Sequence, residues 1–262
     1  MKHKLFFWLL LAALLWPAGC RTLPPAPPPA AVISSEELLA RLQARQEQVQ
    51  SFQAKGRITF LSPEQNYSGN AVLSGRRPAS LKVSVLDFLG RTILSFATDG
   101  AEVKVLSPSE NKLFHGPATP GNLAAFIPPT VSLPQALRLL VGALPLSPGP
   151  PQSFDYEAAT GRYRMEWRQG GALTERLWVA AQGLQPVKEE WFGGAPEPRF
   201  TAELDGFGAL APGLPEKITL KTSAPQKEMR LVYRDLKLNP PLTPTDLTLT
   251  PPAGVVQVFL GK

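Results

Sequence analysis

The chain has 262 residues, 44% hydrophobic and 18% charged, with 29 prolines, two histidines and one cysteine. That hydrophobic content supports a packed core and excludes a disordered chain, and the prolines argue against an all-helical protein. The formal charge of +6 is scattered without a basic run, so no nucleic-acid partner is expected.

The amino-terminal residues 1–19 read as an export signal. Lys2 and Lys4 precede the apolar stretch Leu5 to Trp16, and small Ala18 and Gly19 stand before Cys20. The apolar stretch is shorter than the roughly 20 residues that a membrane-spanning helix needs. A lone cysteine has no partner for an internal disulfide. Its place after Ala18-Gly19 looks like a lipobox, in which the cysteine is acylated and becomes the new amino terminus. Pro17 stands where lipoboxes usually carry Leu, and an ordinary secretory signal ending near a chance cysteine is the other reading. Arg21, in place of an aspartate that would favour inner-membrane retention, points to the outer membrane. The stretch to residue 33, with Pro24-Pro25 and Pro27-Pro28-Pro29, reads as an extended tether.

Residues 34–262 read as one folded domain. Ser34 and Glu37 have capping-box spacing, and Leu38, Leu42 and Val49 mark one stripe of a helix from about Ser35 to Ser51. The period then becomes two: Ala54, Gly56, Ile58 and Phe60, then Leu81, Val83 and Val85, then Phe96, with Val103 and Val105 beyond the turn Asp99-Gly100. Leu133, Leu137, Leu140 and Val141 return to helical spacing, and Gly142 supplies a stop. Strands resume with Phe154 and Tyr156, with Tyr163, Met165 and Trp167, and so on to Tyr233, separated by turns such as Gly170-Gly171, Gln182-Gly183 and Gly193-Gly194. A short apolar run, Val255 to Leu260, closes the chain.

Strands in runs with segregated helices give an α+β protein. Two helices cannot cover both faces of so large a sheet. A curved antiparallel sheet, wrapped around its own dry face as an unclosed β-barrel with the helices as lid, solves this and tends to enclose an apolar space. Alternation nominates Ile58, Phe60, Leu81, Val83, Val85, Phe96, Val105, Leu137, Leu140, Met165 and Trp167 as its lining, with a solid core as the other reading of each. Asp87-Phe88-Leu89-Gly90 lies between two strands, so Phe88 and Leu89 stand at a hairpin tip where polar residues are expected. Exposed there, they could enter a bilayer or meet a partner. The catalytic inventory is thin. His115 is the one histidine beyond the signal, and there is no nucleophile elbow, paired-histidine spacing or phosphate-cradling glycine loop. No enzyme activity, metal or cofactor is expected. Glu189 and Glu190 are adjacent and, on a strand, point to opposite faces.

Three stretches in this order resemble the outer-membrane lipoprotein receptor LolB: Phe52-Gln53-Ala54-Lys55-Gly56-Arg57-Ile58, Leu86-Asp87-Phe88-Leu89-Gly90-Arg91-Thr92-Ile93-Leu94, and Leu133 to Pro145. The resemblance covers Ser35 to Pro145, and the second half matches as a strand meander alone. It implies a half-barrel whose cavity takes acyl chains, acylated lipoproteins or other lipids as cargo, a periplasmic carrier as partner, and a monomeric, lipid-anchored protein on the periplasmic side of the outer membrane. The family's turn leucine, which acts in inserting lipoproteins into the membrane, falls on Leu89, with Phe88 where the family has Pro. A structural or assembly lipoprotein using the half-barrel as a partner-binding platform is the alternative function.

Overall fold

The structure is a computed structural model that describes residues 33–63, 66–124, 126–127, 131–210 and 212–261. The signal, Cys20 and the proline-rich tether lie outside the described residues.

Helix α1 spans Ser35–Gln48. Ser34 starts it, its hydroxyl accepting from the N–H of Glu37 at 3.1 Å. Leu38, Leu39 and Leu42 turn inward, and each fully buried leucine stabilises by about 1.5–3 kcal/mol. The helix stops short of Ser51, where its stripe pointed. Asn239, which follows the last long strand, accepts from the N–H groups of Gln50 and Ser51 and donates to the Gln48 carbonyl at 2.8 Å. The end of the helix is thus fixed by a residue far along the chain.

Six strands follow as an antiparallel meander: β1 Ser51–Leu61, β2 Asn66–Arg76, β3 Ser80–Leu86, β4 Thr92–Thr98, β5 Glu102–Ser107 and β6 Lys112–Pro117. Two short helices, α2 Pro120–Leu123 and α3 Leu133–Leu139, interrupt the strands. A second meander then runs through β7 Ser153–Glu157, β8 Arg162–Gln169, β9 Ala172–Ala180, β10 Pro186–Phe192, β11 Pro198–Asp205, β12 Lys217–Ser223 and β13 Gln226–Leu238. The chain ends with α4 Pro244–Leu247 and β14 Val256–Phe259.

All fourteen strands form one sheet. The two meanders join where β1 pairs antiparallel with β13. The joint carries a bulge: Lys55 faces Asp235 but Gly56 faces Tyr233, so Arg234 is the extra residue. A side chain on Gly56 would sit 2.4 Å from the Val232 carbonyl oxygen, which explains the glycine. β14 pairs with β6 in parallel, the one parallel pairing among the described residues, and β7 and β14 are the sheet's two edges. The sheet does not close on itself. Its dry face carries one continuous core that includes Phe52, Ala54 and Ile58 of β1, Leu73 of β2, Ile218 of β12 and Leu231 of β13. Among the described residues, no helix is long and apolar enough to cross a membrane.

Candidate functional site

The inward alternation of β1 to β4 and β11 to β13 lays apolar side chains side by side, and α2 and α3 stand over them. Between sheet and helices lies a cavity of about 350 Å³, within the range of small-molecule sites. Ile58, Phe60, Leu81, Val83, Val85 and Phe96 line it from the first meander, and Phe200, Ile218, Leu220, Met229 and Leu231 from the second. Leu140 lines it from the lid, with Ala136 and Leu139.

Helix α3 is built to hold that lid. Ser132 and Gln135 form a capping box, with the Gln135 side chain accepting from the Ser132 N–H at 2.8 Å. At the other end Gly142 turns left-handed, φ +71°, and the Ala143 N–H reaches back to the Arg138 carbonyl at 2.9 Å. Pro215 occupies the space that a side chain at Gly142 would need. Phe126, between the two helices, stacks on Phe96 with ring centres 4.5 Å apart.

Four nominated residues lie elsewhere. Leu137 is on α3, but its side chain turns the other way and meets Phe52 over Gly75. Val105, opposite Phe96 on β5, is buried in the core and does not line the cavity. Met165 and Trp167 are on β8, three strands beyond β11, the last strand of the cavity wall, and both are buried. The indole N–H of Trp167 donates to the Gly149 carbonyl at 3.1 Å, so the segment after α3 covers that part of the sheet and fills it solid.

The same solid region holds two buried carboxyls, Glu189 and Glu175, the second of which the sequence pattern did not single out. Glu189 is 0% exposed while Glu190 turns to the outer face, as their adjacency requires. Neither oxygen of Glu189 has a hydrogen-bond partner among the described residues. Burial, and then the charge of Glu175 on neighbouring β9, push its carboxyl well above the usual range. Burial also raises Glu175, although Ser147 donates to it from both hydroxyl and backbone. On the outer face the balance reverses. Burial acts to raise Glu166, but bonds from Arg168 at 2.9 Å and Arg176 at 2.8 Å outweigh it and hold that carboxyl low.

The cavity's polar groups gather at one end. Tyr67 opens β2 directly opposite Phe60 and stacks on it at 5.5 Å. Met229 flanks Phe60 on the other side. Lys227 starts β13 opposite Thr222, which is opposite Phe200 on β11, and Arg199 precedes Phe200. Tyr67, Arg199, Thr222 and Lys227 all line the cavity, and none was nominated from the sequence.

The turn between β3 and β4 sits at this same end, because Leu86 pairs with Asn70 near the start of β2. Asp87 holds the turn: its carboxylate accepts from the N–H groups of Leu89 and Arg91, both at 2.9 Å, and from the Arg91 side chain at 2.8 Å. The Arg91 N–H, more than the other donors, keeps the Asp87 carboxyl below its usual range. Gly90, at φ +81°, completes the reversal. Phe88 is 88% exposed and Leu89 64%. A rigid turn thus displays two large apolar side chains to solvent.

No family model matches the chain. It is similar to the outer-membrane lipoprotein LolB of Vibrio cholerae, 33% identical over 96 residues, covering 36% of this chain and 43% of that protein. LolB of Vibrio vulnificus is 33% identical over 106 residues, covering 40% and 48%. The alignments therefore span less than half of each relative. Among solved structures, a LolA superfamily protein from Nitrosomonas europaea superposes with a TM-score of 0.53 at 15% identity, over 83% of this chain and 99% of that one. A putative outer membrane lipoprotein-sorting protein domain from Vibrio parahaemolyticus gives 0.52 at 10% identity, over 82% and 97%. The large unclosed sheet, its few helices and these likenesses agree: this is an α+β chain with a LolA/LolB-like fold.

Proposed function

We propose that this chain is a lipid-anchored protein of the outer membrane, facing the periplasm, that takes acyl chains of lipoproteins or other lipids into its cavity and delivers them to the bilayer. The observation that carries this reading is the shared end of the molecule, where an apolar cavity of about 350 Å³ stands beside a rigid turn exposing Phe88 and Leu89. The LolB relatives and the LolA-like fold support a carrier role, with a soluble LolA-type carrier as the donor. Transfer needs no covalent step. Burial of chain methylenes, each worth about 0.8 kcal/mol, holds the cargo, and an apolar tip that enters the bilayer brings cavity and membrane together. Cys20, acylated, would tether the domain, and residues 20–33 would set its reach.

Leu89→Glu tests the reading. The variant, loaded with an acylated lipoprotein, is mixed with liposomes and delivery is followed. Binding of cargo should persist while transfer falls; transfer at the wild-type rate would remove the tip's role. Absence of any acyl binding by the wild type would favour the platform alternative, to which the solid core beneath β8 to β10 lends some support.

A further inference from the structure

We propose that the cargo of this cavity is an amphiphile with an anionic headgroup, phosphate or carboxylate, received at the mouth by Arg199 and Lys227. The proposal rests on the acyl-binding reading above and names the chemistry of the end that the apolar wall cannot hold. Among the described residues the cavity lining includes two cations and no carboxylate. Neither cation takes part in an ion pair among the described residues. On the outer face of the same strands the opposite holds: Lys221 of β12 pairs with Glu203 of β11 at 2.9 Å, and Arg230 of β13 pairs with Glu228. Among the described residues the inward cations have no such ion pair.

Arg199 reaches this position through a local device. The pairing with β10 carries a bulge here: Trp191 faces Phe200 but Phe192 faces Pro198, so Arg199 is the extra residue and is released from strict alternation. Gly193, in the hairpin before β11, lacks a side chain, and a Cβ there would lie 2.0 Å from Cδ of Arg199. The arginine stem therefore folds across the glycine towards the cavity. Lys227 arrives by ordinary alternation with Met229 and Leu231, which line the wall further in. Tyr67, across the mouth, adds a hydroxyl donor. An apolar tube ending in two cations and a phenol suits a chain with an acidic head. Charges at the edge of a low-dielectric wall attract more strongly than in open water.

Equilibrium binding to the full chain separates the possibilities. Three probes are compared: oleoyl lysophosphatidylglycerol, monooleoylglycerol with the same chain and a neutral head, and glycerol 3-phosphate with no chain. The wild type should prefer the anionic lipid over the neutral one by about three- to tenfold, as expected for two partly exposed charges, and bind the chainless phosphate far more weakly. Raising the salt should shrink the preference. In Arg199→Gln/Lys227→Gln the ratio of the two lipid affinities should fall to about one. Equal binding of the two lipids by the wild type, or a preference that survives the double substitution, overturns the headgroup proposal and leaves the acyl-binding reading intact. Chainless phosphate binding as tightly as the lipid overturns it in favour of a free-anion site. If neither lipid binds, the acyl-binding reading itself fails.

Discussion

The hydroxyl of Tyr233, fully buried on β13, donates to the backbone carbonyl of Leu140 at the end of the lid helix. Burial also pushes this phenol well above its ordinary range, so it stays a donor at every working pH. One bond therefore ties the lid to the wall below it. Tyr233→Phe leaves the Leu140 carbonyl buried and unpaired, which costs about 1–3 kcal/mol. The expected result is a lower urea midpoint together with faster amide exchange across residues 139–143. An unchanged midpoint would mean that the lid is held by packing alone.

Glu189 and Glu175 set a pH dependence. Both carboxyls are raised in the folded protein, so the folded state binds more protons than the unfolded one above the ordinary glutamate value. Their stabilising contribution is present below about pH 4.3 and is lost as pH rises through the folded values. Glu189→Leu removes a buried carboxyl that has no hydrogen-bond donor among the described residues and should stabilise by about 1–3 kcal/mol at pH 8, and by less at pH 5. Denaturation curves at the two pH values check this. Glu166 works in the other direction, its stabilisation being lost as pH falls through its lowered value.

Val83 lines the cavity from the middle of β3. Val83→Phe fills part of the void without displacing a packed neighbour. Affinity for a fluorescent fatty acid should fall by about tenfold or more, roughly 1.4 kcal/mol, while the thermal midpoint holds or rises. Undiminished binding would place the ligand outside this cavity.

Phe88 and Leu89 are exposed, so replacing both by serine should change folding stability by no more than about 0.5 kcal/mol. Co-sedimentation of the folded variant with liposomes, measured on protein lacking the acylated amino terminus, should decrease. A large loss of stability would show that the tip packs against something in solution.

Much of this architecture was legible from local pattern. Period-two runs located the strands and their dry faces, Ser34 located the start of α1, and Asp87 to Gly90 located an exposed tip. What escaped depended on residues remote in the chain. Alternation shows that Met165 and Val83 both face inward, but not that the segment around Gly149 fills the space over one while the other borders a void. The end of α1 depends on Asn239, and the bulge at Gly56 on Val232 and Arg234, across the joint of two meanders. Arg199 breaks alternation as the extra residue of a bulge against β10, its stem packed over Gly193 across the hairpin. Val255 to Leu260 showed an apolar run, but nothing local makes its pairing with β6 parallel.

The sheet's two edges, β7 and β14, never meet. A closed barrel has its radius dictated by strand number and stagger. An open one has no such constraint. Its girth is not fixed by strand number and stagger alone. If the cavity takes acyl chains as proposed, one framework could fit single-chain and multi-chain guests without changing a residue of its wall.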